Sequence, residues 1–142
     1  MKQSVFSDTD IILDVLAQRT PFYQSAARLF SLAELGEVKI YVSALSFANL
    51  HYILRKNLPA HKVVETLRNL RKLVSVLPLD DGIVAKALDA GFRDFEDAIQ
   101  YNTALTKGIA YLITRNIRDY PKPSLTVCTA EEFLAQRAGI DS

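Results

Sequence analysis

The sequence predicts an α/β protein in which a mainly parallel sheet of about five strands carries helices on both faces. Short β-branched or apolar segments alternate along the chain with longer segments that have helical periodicity, as in a parallel sheet. Residues 109–113 are apolar throughout, which is typical of a strand covered on both sides. The chain has 142 residues, of which 49% are hydrophobic, so we expect a single domain spanning residues 1–142 with one core.

The amino-terminal half predicts two strands and four helices. Residues 5–7 form a short apolar strand that stops at a polar cluster, and apolar residues at helical spacing follow. Proline fits the first turn of a helix and glycine its left-handed end, so Pro21 and Gly36 bound the second helix. Residues 38–42 alternate as a strand does. The other predicted helices cover residues 11–18, residues 45–55 and a segment that begins at Pro59.

The carboxyl-terminal half continues the alternation. Residues 73–79 predict a strand, and the acidic pair that follows caps a helix reaching about residue 91. The next helix covers residues 94–107 and ends at Gly108. Thr129 and Glu132 have the spacing of a capping box, which predicts a terminal helix. The last two predicted strands cover residues 109–113 and 125–128.

Composition excludes several classes of protein. Cys128 is the single cysteine, which rules out a disulfide scaffold and a cysteine-rich zinc site and is expected to be a small core residue. The 17 basic and 16 acidic residues give a net charge of +1, which neither requires nor forbids a nucleic-acid partner. The sequence has no targeting segment and no apolar run of the roughly 20 residues that a membrane span needs. We therefore expect a cytoplasmic protein without a membrane partner.

Acidic and amide side chains recur at one predicted edge of the sheet. The carboxyl ends of parallel strands share an edge, and ligands bind there in open α/β sheets. Helix capping or local hydrogen bonds in loops would explain the presence of any single acidic or amide side chain at this edge. Carboxylates that gather at one edge repel one another, and a hard divalent cation would offset that repulsion. The residues concerned are Asp8, Asp10, Asp94, Asp97, Asn116 and Asp119.

Three segments, residues 5–14, 97–105 and 111–120, occur in the order and spacing of a known family. With them the chain resembles the PIN-domain nucleases, including the VapC-type toxins of bacterial toxin–antitoxin pairs. The resemblance implies a three-layer α/β/α domain and an endoribonuclease that depends on Mg²⁺ or Mn²⁺. Asp8, Asp97 and Asp119 would be the catalytic and metal-binding residues, and Asn116 would assist them. Thr114 would hold the site by hydrogen bonding.

One position departs from the family pattern. The family usually has a glutamate on the helix after the second strand, where this chain has Asn49. Asparagine offers an oxygen without charge, so metal affinity should fall unless Asp10 or Asp94 supplies the missing charge. Asn49 could instead orient the other carboxylates. The alternative to a ribonuclease is therefore a weakly active or inactive PIN module that binds RNA or a partner protein.

A second alternative comes from another class of enzyme. The Asp8-Thr9-Asp10 cluster is similar to the start of haloacid-dehalogenase-like phosphotransferases, in which the first aspartate is a nucleophile. Those enzymes are usually longer and need a late acidic pair, whereas Asp80 and Asp81 lie in mid-chain. The sequence therefore fits this class less well than the PIN-domain family.

Basic residues beside the acidic edge indicate how a nucleic acid would bind. Arg55 and Lys56 begin a basic segment that reaches residue 72, and Arg115 and Arg118 adjoin the predicted site. Such groups would hold phosphates, although a solvated helix face explains the basic segment equally well. The resemblance implies an RNA substrate, an antitoxin partner and a homodimer. The sequence alone does not decide between core and interface for the apolar residues of 45–53.

Overall fold

The computed structural model describes residues 2–121 and 123–141 of the chain. Within this part, five strands form one sheet in which every neighbouring pair is parallel. The order across the sheet is β3-β2-β1-β4-β5, so the first strand is central. The strands are β1 (Gln3–Ser7), β2 (Val38–Ser43), β3 (Val74–Leu77), β4 (Tyr111–Ile113) and β5 (Thr126–Cys128).

Helices connect the strands, as parallel strands require. A short 3-10 helix, Ile117–Asp119, lies between β4 and β5. The α-helices of the described residues are α1 (Thr9–Leu16), α2 (Tyr23–Glu34), α3 (Ala44–Leu54), α4 (Ala60–Leu73), α5 (Asp81–Asp89), α6 (Phe95–Lys107) and α7 (Ala130–Asp141).

The sheet is the middle of three layers. Val5 of β1 faces a core that it shares with α1 to α4 and α7, whereas its neighbour Phe6 faces α6 on the other side. In β4, Ile113 lies on the same face as Val5, and Leu112 lies on the same face as Phe6. Successive side chains of a strand point to opposite faces, so apolar residues at consecutive positions fill both cores. The predicted three-layer α/β/α fold with a parallel sheet is confirmed.

Several helices and strands begin at residues other than those predicted from the sequence. Helix α1 begins at Thr9, two residues before the predicted start, because Asp8 has an extended backbone and caps the helix. Strand β4 begins only at Tyr111, although Ile109 is buried. The 3-10 helix could not be predicted from the sequence, since three residues are too few to show a period.

The structure also shows where two sets of apolar residues lie. Cys128 is buried in the core, as expected. Leu50 is buried in the same core, and Phe47 and Ile53 pack against it, so these three residues of α3 serve as core. Of the helices in the described residues, none combines the length and apolar character that crossing a membrane requires.

The register of the central strands places the end of β1 beside the end of β4. Ser7 pairs with Ile113, and the backbone N–H of Asp8 donates to the Ile113 carbonyl oxygen over 3.0 Å. The N–H of Thr114 donates in turn to the carbonyl of Cys128 in β5. The ladder thus continues one residue beyond the strands, and Asp8 and Thr114 meet at the carboxyl edge of the sheet.

Candidate active site

An acidic cleft of about 410 Å³ opens at the carboxyl edge of the sheet. Residues from α1, α3, α6 and the segment after β4 converge on it. The cleft brings together seven of the residues singled out from the sequence, and the basic ones are not among them. Its polar lining residues are Asp8, Thr9, Asp10, Asn49, Tyr52, Asp94, Glu96, Asp97, Asn116 and Asp119.

Asp8 is the most enclosed carboxylate of the cleft, with 5% of the residue exposed. Thr114 Oγ1 donates to its Oδ2 over 2.8 Å, and Gln100 Nε2 donates to its Oδ1 over 3.2 Å. Burial raises the pKa of Asp8, and these two donors oppose that rise because they stabilise the charged form. Each oxygen therefore has a fixed partner, which holds the carboxylate in one orientation.

Tyr120 joins Asp8 to Asp97. Its hydroxyl donates over 3.4 Å to Asp8 Oδ2 and over 3.5 Å to Asp97 Oδ1. Burial first, and then the Asp8 and Asp97 charges, raise the pKa of Tyr120 far above its usual range, so the hydroxyl keeps its proton. Tyr120 is therefore a permanent donor between the two carboxylates.

Asp97 titrates near neutral pH. Its pKa is raised from 3.8 to about 7, chiefly by burial and then by the charges of Asp8, Asp94, Asp119 and Glu96. Mutual repulsion of this kind indicates that the carboxylates lie close together without enough positive charge. The protein without bound cations thus holds a proton at Asp97 over part of the neutral range.

The start of α6 presents Asp97 to the cleft. Asp94 has an extended backbone and its Oδ1 accepts from the Asp97 N–H over 3.1 Å, so it caps the helix as well as lining the cleft. At the opposite wall, Asn116 Nδ2 donates over 3.5 Å to Asp10 Oδ2. Asp119 lies exposed on the 3-10 helix. Capping and cleft formation are therefore compatible functions of the same acids.

Glu96 is an acidic residue of the cleft that sequence reasoning did not include in the site. Thr9 Oγ1 donates to its Oε1 over 3.5 Å and lies 2.7 Å from Ser46 Oγ. Burial raises the pKa of Glu96, whereas donation from the Asn49 side chain lowers it. Asn49 Nδ2 is buried and has no partner in full hydrogen-bond geometry, so its contact with Glu96 is a loose one. Asn49 and Glu96 are thus neighbours across the cleft.

Arg115 lies outside the acidic cleft. Its Nε is 2.9 Å from Oδ2 of Asp14, a carboxylate that is fully buried, and 24% of the arginine side chain is exposed. The guanidinium also lies over the Phe22 ring, 4.2 Å from its centroid. These three side chains line a second cavity of about 230 Å³. The arginine thus anchors the segment after β4, and binding of nucleic acid by Arg115 stays a prediction.

A basic and aromatic rim lies beside the cleft on α3 and the residues after it. Tyr52 lines the cleft with 55% of the residue exposed. Arg55 and Lys56 lie 4.9 and 4.8 Å from the centroid of its ring. Arg118 is exposed on the 3-10 helix, next to Asp119. Positive charge therefore borders the cleft without entering it.

Sequence reasoning missed several residues that organise the site. Gln100 is buried and contacts Asp8, and its Oε1 accepts from the Thr9 N–H over 3.2 Å. Its signal was a polar side chain one helical turn after Asp97, within a helix that has an apolar face. Tyr120 and Tyr52 had no comparable signal, because a tyrosine that lines a site has the same sequence pattern as one in a core.

The donor chemistry of the cleft fits a hard divalent cation. All the charged groups that line it are carboxylates, and no Lys or Arg of the described residues lines it. Among those residues, no group of three or more His, Cys, Asp or Glu side chains is arranged to hold a metal ion by itself. Mg²⁺ commonly takes one or two carboxylates and completes its shell with water and substrate phosphate. Asp8 and Asp97 are the two that Tyr120 holds together.

Comparison with known proteins gives consistent matches over most of the chain. The sequence pattern of the PIN domain matches residues 4–118. Ribonuclease VapC1 of Aquifex aeolicus (strain VF5) is 24% identical over 136 residues, which cover 92% of this chain and 93% of that protein. The fold is similar to that of VapBC-1 from nontypeable Haemophilus influenzae, with a TM-score of 0.69, 18% identity and coverage of 91% and 99% of the two chains. A toxin-antitoxin complex from Klebsiella pneumoniae has a TM-score of 0.68, 19% identity and coverage of 89% and 97%.

Proposed function

Because the chain belongs to the PIN-domain family, we propose that it is a ribonuclease that uses Mg²⁺ or Mn²⁺ to hydrolyse phosphodiester bonds within RNA. The observation that carries this proposal is the cleft in which Asp8, Asp97 and Asp119 converge with Asn116. Their charges are not neutralised by a basic side chain of the described cleft lining. A cation bound there would relieve the repulsion that raises the pKa of Asp97.

Asp8 and Asp97 are the proposed direct ligands of the cation, with Asp119 and Asn116 at its side. A bound divalent cation lowers the pKa of a water molecule and offsets charge that develops on a phosphate. The protein contributes orientation. Thr114 and Gln100 fix the Asp8 carboxylate, and the single hydroxyl proton of Tyr120 is shared between the two ligands. No serine or cysteine nucleophile is needed for this reaction.

The substrate would lie across the basic and aromatic rim. Arg55 and Lys56 adjoin the Tyr52 ring and Arg118 adjoins Asp119, so these three are the proposed phosphate-binding residues; such contacts position a nucleic acid without reading its sequence. The exposed ring of Tyr52 offers a surface on which a base of single-stranded RNA can stack. RNA is therefore the proposed substrate, with its reacting phosphate over the carboxylates.

We further propose that the chain is the toxin of a toxin–antitoxin pair. Support comes from the names of similar proteins, among them VapC1, VapBC-1 and a toxin-antitoxin complex. If the chain is such a toxin, its activity must be restrained, and we propose that a protein partner does so by blocking the cleft. Production of this chain alone should stop bacterial growth, and Asp8→Asn should restore it at equal protein level. A homodimer stays a prediction.

The first prediction tests hydrolysis. The purified protein with Mg²⁺ or Mn²⁺ should cleave RNA, and Asp8→Asn should lower the rate by at least about 100-fold, since it removes a charged ligand without changing shape. Gel analysis of a labelled RNA measures the rate. Glu34→Gln is the matched control because Glu34 is an exposed acid at the end of α2, outside the cleft.

Two results would contradict the proposed function. One is cleavage that continues at full rate after all divalent cations have been chelated. The other is cleavage that persists in both Asp8→Asn and Asp97→Asn, because the activity would then belong to another site or to a contaminant.

A further inference from the structure

The start of α6 directs two acids toward the cleft where one would be expected. Glu96 and Asp97 are consecutive residues of the first helical turn, and both line the cleft. Phe95, their neighbour, remains 45% exposed, so solvent is within reach of this turn. A carboxylate in a helical first turn is already favoured by the helix dipole when it lies in water. The half-buried position of Glu96 therefore needs a reason beyond helix stability.

We propose that Glu96 is a further cation-binding carboxylate of this cleft and that Asn49 and Thr9 hold it in place. The inference rests on the proposed function and assigns a role that the motifs of the sequence do not. Thr9 Oγ1 donates to Glu96 Oε1, and the hydroxyl of Ser46 lies 2.7 Å from Thr9 Oγ1. Thr9 in turn follows Asp8 directly in the chain. The same short segment thus carries one ligand and positions another.

Asn49 fits this role because it is neutral. Its Nδ2 is buried and has no other hydrogen-bond partner, and the Asn49 side chain is close enough to Glu96 to lower the pKa of that carboxyl group. A carboxylate at position 49 would meet the Glu96 carboxylate, and two adjacent charges repel each other. Asn49 and Glu96 therefore complement each other, because a neutral amide beside the Glu96 carboxylate avoids repulsion between two charges. The missing acid at position 49 is supplied by Glu96, rather than by Asp10 or Asp94.

Calorimetric titration of the metal-free protein with Mn²⁺ tests the assignment without relying on activity. Glu96→Gln should weaken Mn²⁺ binding at least about 10-fold, whereas the control Glu34→Gln should stay within about twofold of wild type. The exchanged pair, Asn49→Glu with Glu96→Gln, should recover affinity to within about threefold of wild type. Asn49→Glu alone should gain less than about threefold, because the new carboxylate opposes Glu96.

Thermal unfolding of each variant without metal verifies that it is folded, and the exchanged pair supplies a second test if the single variant is not. Unchanged Mn²⁺ affinity in Glu96→Gln, together with loss of affinity in Asp8→Asn, would overturn the role of Glu96 and leave the proposed function standing. A gain of tenfold or more in Asn49→Glu alone would also overturn it. Absence of Mn²⁺ binding by the wild-type protein would overturn both proposals.

Discussion

Single residues in the cleft show that its acids are held by specific donors. Asp8 accepts from Thr114 and Gln100 and contacts Tyr120, so its orientation depends on residues at least 92 positions away in the chain. Asp8, Asp14, Glu96 and Asp97 have raised pKa values. Each of them binds a proton more tightly in the folded protein than in the unfolded chain. The shifts therefore have a common effect on stability.

The stability of the metal-free protein should fall as the pH rises from about 4 to about 7. Asp97 has a pKa of about 7 in the folded state against 3.8 in the reference state, so the folded state binds more protons in this window. The contribution of Asp97 to stability is complete below the reference pKa of 3.8, and it is lost as the pH rises through the folded-state pKa of about 7. Urea unfolding at pH 5 and pH 8 measures the difference, and the denaturation midpoint should be higher at pH 5.

Asp97→Asn should reduce this pH dependence, because the amide does not titrate. Asp89→Asn is the control, since Asp89 ends α5 as an exposed acid outside the cleft. If Asp97→Asn shows the same fall as the wild-type protein, the raised pKa belongs to another group.

At the scale of elements, the segment between β4 and β5 depends on an ion pair behind the cleft. Arg115 lies between Thr114, which contacts Asp8, and Asn116, which contacts Asp10. Its partner Asp14 belongs to α1, the helix that begins directly after Asp8. The pair therefore connects the two chain segments that form opposite sides of the site.

Arg115→Ala should lower the free energy of unfolding by about 3 kcal/mol, because it removes the main counter-charge of the buried Asp14 carboxylate and leaves only the weaker influence of Arg19. Arg118→Ala removes an exposed arginine three residues later and should change it by less than about 0.5 kcal/mol. Denaturant unfolding of the two variants measures the contrast. In the double variant Asp14→Ala with Arg115→Ala, the loss should be smaller than the sum of the single losses. Equal effects of Arg115→Ala and Arg118→Ala would contradict the importance of this pair.

Element types could be predicted from the sequence, whereas some boundaries could not. The alternation of strands and helices follows from periodicity, and Gly108 ends α6 with a positive φ of 79°, as its position predicted. Ile109 belongs to an apolar run that was predicted as strand, yet β4 pairs with its neighbours only from Tyr111. Strand pairing depends on the partner strands, which lie far away in sequence. Local pattern therefore cannot set the ends of a short strand.

At the scale of the whole molecule, the net charge of +1 is an average over separated groups. Acids line the cleft, and bases lie on its rim and along α4. Arg55 and Lys56 adjoin Tyr52 at the cleft. Arg71 and Lys72 end α4 just before β3 begins, at the amino edge of the sheet. If RNA lies over the carboxylates as proposed, we expect Arg55 and Lys56 to contact it and Arg71 and Lys72 not to.

Neutralising the rim should weaken RNA binding in a salt-dependent way. In an Asp8→Asn background, Arg55→Gln with Lys56→Gln should reduce the slope of log affinity against log salt by about 1.4, because each lost phosphate contact contributes about 0.7 for single strands. Arg71→Gln with Lys72→Gln removes equal charge and should leave the slope nearly unchanged. Fluorescence anisotropy with a labelled RNA at several salt concentrations gives the slopes. Equal slopes for the two double variants would place the RNA elsewhere.

The sequence predicted which acids form the cleft more completely than it predicted their partners. Asp8, Asp97 and Asp119 follow strands or begin helices at one edge, and topology brings such positions together. Glu96 was not assigned a role, since its position in the first turn of α6 already has a sufficient explanation in helix capping and dipole effects. What distinguishes Glu96 from an ordinary first-turn acid is its contact with Thr9, which lies 87 residues earlier in the chain. Contacts between residues so far apart in the sequence cannot be predicted without the three-dimensional structure.

The strand order also determines when the site can exist during synthesis. β1 is the first strand made, yet it is completed by β4, more than a hundred residues later. A nascent chain that ends before Asp119 lacks one acid of the cleft as well as Tyr120, which joins Asp8 to Asp97. The proposed ribonuclease would therefore lack its complete site during most of its own translation.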